Sequence, residues 1–308
     1  MKICIVCSGN FKKSRLSFYQ SAIYELAKET ENRGHTIDFF LIKGKGYLGY
    51  LSNRKKLQKF INSKNYDLIH AHYGLAALLL SISISRPFIV TFHGSDINKL
   101  YQMVLSIIPS ILSKKNIFVS NRLLNKFVLS SMKKNIVLPC GVNTKLFYPT
   151  SKFAARKQLN LDLNKKIVLF SSSFDNPVKN LKLAKQVLDL LKKDVIFIEA
   201  NNIEREDMSI LLNAVDVLLI TSFYEGSPQI SKEAMACNCP IVSVDVGDIS
   251  IQIKGVKNSF VVKRDPKLLA DKINLIFNNN LQSDGYDIIK KYDIVNIANE
   301  LEKIYLSI

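Results

Sequence analysis

The chain has 308 residues, with 43 Lys and Arg against 26 Asp and Glu, a formal charge of +17 at neutral pH. Apolar residues make up 47% and charged residues 22%, enough to build the cores of two medium domains and to exclude wholesale disorder. The start, MKICIVCSGN, has too short an apolar run for a secretory signal. The most apolar window, Leu75–Ile84, is ten residues where a spanning helix needs about 20, so it reads as a buried helix. Five cysteines without a signal read as reduced, mostly buried thiols of a cytoplasmic protein. Cys4 and Cys7 lie inside an apolar strand and Cys237-x-Cys239 has no histidine nearby, so neither pair reads as a redox or zinc site.

Short β-rich runs alternate with helical patterns along the chain. Strands are expected at Lys2–Cys7, His35–Ile42, Asp67–Ala71, Pro87–Phe92, Asn116–Ser120 and Asn135–Pro139. Helices are expected over Arg15–Glu31, Leu51–Asn62, Lys99–Leu112 and Asn121–Met132. Cys140–Lys152, rich in turn-forming residues, reads as a connection. A second series follows, with strands at Lys166–Ser171, Val195–Ala200, Asp216–Thr221, Pro240–Val244 and Ser259–Val262. Its helices are expected at Val178–Lys192, Glu204–Asn213, Pro228–Cys237, Lys267–Asn278 and Tyr292–Ser307. The strands are apolar nearly throughout, as parallel strands covered on both faces should be. The reading is α/β, with two doubly wound Rossmann-like domains at residues 1–145 and 146–290, and a C-terminal helix, 291–308, free to pack back on the first.

The charge is unevenly shared. Residues 1–150 hold 22 Lys and Arg against 6 Asp and Glu, a net of +16, whereas residues 151–308 hold 21 against 20. The excess belongs to the first domain, and a phosphorylated ligand, an anionic membrane or nucleic acid are its candidate partners. No nucleic-acid-binding motif accompanies it, so no nucleic acid is expected.

The chemistry concentrates after the strand ending at Thr221. Ser222-Phe-Tyr-Glu225-Gly226-Ser227-Pro228-Gln229 leads into a helix carrying Glu233. Ligands in open α/β sheets sit beyond the carboxyl ends of strands. A glycine there allows close backbone approach, and a helix start presents amides to an anion. Two carboxylates eight residues apart can serve different ends of one extended ligand. His93, in Thr91-Phe92-His93-Gly94-Ser95-Asp96, also follows a buried strand, and Asp96 is suited to capping the next helix. His70 and His72 share one face of their strand; one is expected against the sheet and the other at the rim. No carboxylate stands at ligand spacing beside them, so no metal is expected.

The E-x7-E pair Glu225/Glu233 resembles the donor-site signature of GT-B glycosyltransferases, specifically glycosyltransferase family 4. His70-Ala-His72-Tyr-Gly74, the stretch from Val90 to Asp96, and Pro139-Cys-Gly141-Val142-Asn143 with Phe147 and Pro149 follow the family's order. The resemblance spans nearly the whole chain. It implies a GT-B fold, two Rossmann-like domains facing a cleft. It also implies a retaining, metal-independent enzyme with no cofactor beyond its nucleotide-sugar donor. On that footing Glu233 binds the ribose, and Glu225 the transferred sugar. The amides of Gly226, Ser227, Pro228 and Gln229 approach the diphosphate and sugar, and His93 contacts the sugar. Lys179 faces the diphosphate. The family's arginine six residues earlier is Ser173 here, and Ser173 with neighbouring amides, or another cation, is expected to stand in. Lys232, beside Glu233 on its helix, reads as solvated.

The acceptor side is expected to include Gly9, Asn10, Lys12, Lys13, His72 and Asp96, the first four from a cationic loop retaining one glycine of the family's glycine-rich turn. Further cations run through Lys43, Lys45, Arg54, Lys55, Lys56 and Lys59, interleaved with Tyr47, Leu48 and the apolar stretch Leu100–Leu112. That combination fits peripheral contact with an anionic membrane, at its cytoplasmic face. The implied function is sugar transfer to a glycan or lipid-linked acceptor in bacterial surface polysaccharide biosynthesis. Epimerisation or hydrolysis of a nucleotide sugar, or nucleotide-sugar binding without catalysis, are the alternatives.

Overall fold

The computed structural model describes residues 1–10, 21–192 and 194–308. These form two compact units, one of Met1–Gly141 with Ile294–Ile308 and one of Val142–Asp293. The change of unit thus falls at Gly141, four residues before the expected boundary, and the last helix is counted with the first unit.

In the first unit, strands β1 (Lys2–Ser8), β2 (Thr36–Ile42), β3 (Leu68–His72), β4 (Phe88–Phe92), β5 (Lys115–Phe118) and β6 (Asn135–Val137) form a parallel sheet in the order β2-β1-β3-β4-β5-β6. The chain steps outward from β1 to β2, then returns to β3, which makes the β1–β3 boundary a topological switch point. In the second, β7 (Lys166–Phe170), β8 (Val195–Glu199), β9 (Val217–Ile220), β10 (Ile241–Val244) and β11 (Phe260–Val262) run parallel in the order β11-β10-β9-β7-β8. Here the switch point lies between β7 and β9. Ligands of doubly wound sheets lie beyond the strand ends at such points.

Each sheet is apolar because helices cover both faces. Ile3, Ile5, Leu68 and Ile89 pack on one face of the first sheet with Ile297, Leu301 and Tyr305 of the Ile294–Leu306 helix. Cys4, Val6, Val90 and Phe92 pack on the other, against Ala76, Leu79 and Leu80 of the Gly74–Ser83 helix, the expected buried one. All five cysteines are free and four are buried; burial raises the thiols of Cys4 and Cys7 to about 12.

Two helices are shorter than their patterns. The one starting at Asn121 stops at Lys126, because Phe127 turns into a cluster with Phe92 and Phe118, at 5.7 and 5.4 Å between ring centroids. The one expected from Val178 starts at Leu181, because Asn180 adopts a left-handed φ of 56° and caps it, accepting from Leu183 N. Among the described residues no helix is long and apolar enough to cross a membrane.

Candidate active site

In the second unit, the segments after β7 and β9 meet at the switch point. Ser173 forms a tight turn, its Oγ accepting from Asp175 N at 3.2 Å, and a short 3₁₀ turn, Pro177–Lys179, follows. Thr221 Oγ1 donates to the Lys179 carbonyl (2.7 Å) and Phe223 N to that of Val178 (2.8 Å), which fastens the two loops together. Lys179 Nζ then lies 2.7 Å from Glu225 Oε1, and Ser222 Oγ donates to the same oxygen at 2.6 Å. Both charged side chains are mostly buried, so their interaction is far less screened than a surface pair. Ser173 is occupied in shaping its loop.

The Gly226–Gln229 stretch enters the Gln229–Ala236 helix, with Pro228 at the N-cap position, one residue before the helix itself. Ser227 Oγ donates to Asp248 Oδ2 (3.1 Å) and accepts from Lys232 Nζ (2.9 Å) and Gln252 Nε2 (3.1 Å). Lys232, expected in solvent, is fully buried, with the Tyr292 ring 6.0 Å away. Its helix buries every residue from Ser231 to Ala236, so this lysine has no route to water. Burial raises the Asp248 carboxyl above its usual range, opposed by the nearby Lys232 charge. Gly247, at φ +54°, backs the loop so closely that a Cβ would stand 3.0 Å from Glu225 Cβ and 3.1 Å from the Gly226 carbonyl.

Glu233 is held apart from this cluster. It is buried in an ion pair with Arg205 Nη1 at 2.8 Å, and the Arg205 guanidinium lies 4.6 Å over the Phe147 ring. Arg264 donates to the Ser222 carbonyl at 2.8 Å and stacks over Phe223 at 5.2 Å. Arg205, Asp248 and Gln252 leave no mark as site residues in the sequence, whereas Arg264, a cation just past a strand end, leaves a signal. Lys232, a candidate cation to replace the absent arginine, reads there as solvated.

The first unit carries its own constellation. His70 and His72 stack at 4.2 Å between ring centroids, both buried, on the same face of β3. His70 contacts Tyr305 Oη (2.8 Å) through Nδ1 and Thr91 Oγ1 (2.7 Å) through Nε2. His72 Nδ1 lies 2.9 Å from His93 Nε2. Neither histidine therefore sits at a rim; His72 supports His93 from beneath. Burial lowers both, His70 to about 3, so they are neutral at physiological pH. The Tyr73 ring is tilted against that of His93, 4.5 Å away between centroids, and its backbone takes a φ of 73°. The other non-glycine residues at positive φ among those described are all asparagines, so an aromatic there marks stored strain.

Asp96 is buried and accepts from Gly94 N (2.8 Å), His93 N (3.2 Å) and Gly74 N (3.3 Å), tying the segments after β3 and β4 together. Desolvation raises its carboxyl to about 6 against those amides. It lines a pocket of about 290 Å³ with Ser8, Tyr50, Tyr73, Ser95 and Gln102. Gly9 is buried and donates to the Ile42 carbonyl at 2.8 Å, while Asn10 Oδ1 accepts from Gly44 N at 2.8 Å. Both fasten the turn after β2. Lys12 and Lys13 lie outside the described residues. Among the described residues, no three His, Cys, Asp or Glu side chains are grouped to hold a metal ion.

Comparison with known proteins follows these units. Residues 27–146 match the family described as Glycosyltransferase Family 4, and residues 164–279 the one described as Glycosyl transferases group 1. An uncharacterized glycosyltransferase of Methanocaldococcus jannaschii is 26% identical over 283 residues, 84% of this chain and 80% of that protein. TuaC of Bacillus subtilis, provisionally named a teichuronic acid biosynthesis glycosyltransferase, is 23% identical over 79% of this chain and 71% of its own. Among solved structures, sucrose-phosphate synthase from Thermosynechococcus elongatus superposes with a TM-score of 0.85 at 16% identity, covering 99% of this chain and 98% of that one. Anabaena HepE in complex with UDP and glucose does so at 0.80 and 18%, over 100% of both chains. Two parallel α/β units of this kind are the GT-B fold of those neighbours. Together the two family matches and these relatives support a GT-B glycosyltransferase of the family 4 type.

Proposed function

We propose that the protein is a retaining glycosyltransferase that takes a sugar from a nucleotide-sugar donor bound by the second unit and passes it to a glycan or lipid-linked acceptor of a surface polysaccharide. The observation that carries this reading is the Lys179–Glu225 pair at the β7–β9 switch point. A departing nucleoside diphosphate gains charge as the glycosidic bond breaks, and a fixed, partly desolvated cation stabilises it without solvent reorganisation. Lys179 serves that role, with the backbone N–H groups of Gly226, Ser227 and Gln229 as further donors. Glu225 orients the sugar, and the arriving diphosphate competes with it for the lysine. Glu233, held by Arg205, takes the ribose hydroxyls. His93, oriented by His72, is assigned to the sugar, as the family resemblance implies. The reaction uses no metal ion or other cofactor, since the charge stabilisation comes from Lys179 and amides. A surface-polysaccharide pathway is supported by the similarity to TuaC, and a UDP-sugar donor by the complexes of HepE.

The test is calorimetric titration with UDP, then turnover of UDP-glucose and other nucleotide sugars. Lys179→Ala is expected to weaken UDP binding and lower kcat by about 10²–10³-fold, the scale of losing one fixed transition-state donor. Glu225→Gln should lower kcat while tightening UDP binding, because the lysine is freed from its competing carboxylate. Wild-type behaviour in both variants would refute the assignment.

A further inference from the structure

The Leu100–Leu112 helix is packed the wrong way round for a soluble protein. Its buried residues are Ser106, Pro109 and Ser110. Met103 and Ile107 pack against the core, but six large apolar residues face out: Leu100 is 72% exposed and Tyr101 61%, and Val104, Ile108, Ile111 and Leu112 are each more than half exposed. At about 100° per residue, these six side chains fall within an arc of roughly 120°. The inversion is built in. Ser106 Oγ bonds within its own helix, donating to the Gln102 carbonyl at 2.8 Å, and the backbone of Gly74 approaches so closely that a Cβ there would collide with Ser106. Only a small residue fits at that crossing, which holds the helix with this ridge turned outward.

Charge frames this face. Residues 97–134 contain Lys99, Lys114, Lys115, Arg122, Lys126, Lys133 and Lys134 and no acidic residue. Lys126 Nζ reaches Asn98 Oδ1 (3.0 Å) just before the helix, and Lys134 Nζ donates to the Ile111 and Ser113 carbonyls (2.6 and 2.7 Å) at its end. Cations therefore sit at both ends of an apolar ridge. The opposite side of the helix contributes Gln102 to the 290 Å³ pocket, which also takes Tyr50 from the Gly46–Leu51 helix. That short helix exposes Tyr47 and Leu48.

We propose that the Leu100–Leu112 helix and its lysines dock the protein on an anionic lipid bilayer, with the apolar ridge lying in the interface plane. A helix of 13 residues spans no bilayer, and an amphipathic one with a cationic rim has the pattern of an interfacial anchor. A second copy of the chain is a poor occupant, because pairing two such faces sets lysine against lysine with no carboxylate between them. Docked in this way, the pocket beside Gln102 opens at the lipid surface. Only that last point rests on the glycosyltransferase reading.

The chain contains no tryptophan, so Ile108→Trp places a single fluorescent reporter on the ridge and Phe153→Trp a control in the second unit. Vesicles of phosphatidylcholine with and without phosphatidylglycerol are titrated without nucleotide, so the outcome is independent of donor chemistry. A blue shift of the Ile108→Trp reporter with anionic vesicles only, weakened by salt and absent from the control, is expected. Sedimentation with the same vesicles should fall about tenfold in Ile108→Ser/Ile111→Ser/Leu112→Ser, while its UDP-induced thermal shift stays at the wild-type value. No shift with anionic vesicles, or a shift that grows with protein concentration in their absence, overturns the proposal, the latter in favour of self-association.

Discussion

Gly247 shows how closely the donor loop is backed by its neighbours. At φ +54° an alanine is strained, and its Cβ would press on Glu225 and the Gly226 carbonyl. Gly247→Ala is expected to cost about 1–3 kcal/mol in stability and to weaken UDP binding, measurable by thermal unfolding and calorimetry on one preparation. Titration of the buried histidines sets a second residue-scale expectation. His70 is held neutral down to about 3 and His72 is also held low, so below pH 6.5 the unfolded chain binds protons there that the folded chain does not. Their contribution to stability is present above pH 6.5 and lost as pH falls, at up to about 1.4 kcal/mol per pH unit for each proton. Asp96, raised to about 6, acts oppositely between pH 4 and 6. Melting temperature at constant ionic strength should therefore fall on acidification from pH 7, and His70→Gln should flatten the slope. Of these residues, Glu225 and Lys179 were legible because each stands in a local motif beside a strand end. The burial of Lys232 was not: Asp248, Gln252 and Tyr292, which surround it, arrive from 16 to 60 positions downstream.

At the scale of elements, strands were read to within two residues because doubly covered strands are continuously apolar. Helices were read less well wherever a single side chain ends them, as Phe127 and Asn180 do. Leu100–Leu112 reads as part of a basic, partly apolar face, but which of its residues point outward was not legible. Apolar periodicity identifies a stripe but not the direction it faces, and the direction here is set by Gly74 meeting Ser106. Gly74→Ala should accordingly destabilise the first unit by about 1–3 kcal/mol, as overpacking does. Ser106→Gly should recover part of that loss in the double variant, a coupling that denaturant titration of the four proteins measures.

Over the whole molecule, the charge asymmetry found in the sequence resolves into places. The nearly neutral second half holds its cations in pairs, Lys179 with Glu225 and Arg205 with Glu233. The first unit gathers its own around an apolar helix. The last helix could be given a place back on the first domain from the sequence, but not the residues it would meet there. It closes the first unit, with Leu301 and Tyr305 in the core and Glu302 accepting from Arg33 Nε at 2.8 Å. Leu301→Ala is expected to cost about 2–5 kcal/mol, read by chemical denaturation, and to lower the protection of β1 amides from hydrogen exchange more than that of β7.

That arrangement has a consequence for biosynthesis. One face of the first sheet, with Ile3, Ile5 and Leu68, is covered by residues made only after all 152 residues of Val142–Asp293 have been joined. At about 5–20 residues per second the ribosome takes roughly 8–30 s over that interval. Throughout it, the part of that face which Ile297, Leu301 and Tyr305 will cover stays open on the nascent chain, beside Ile23 and Ala27, while the second unit can fold from a continuous stretch. The first unit can thus complete its core only after the whole of the second has been made.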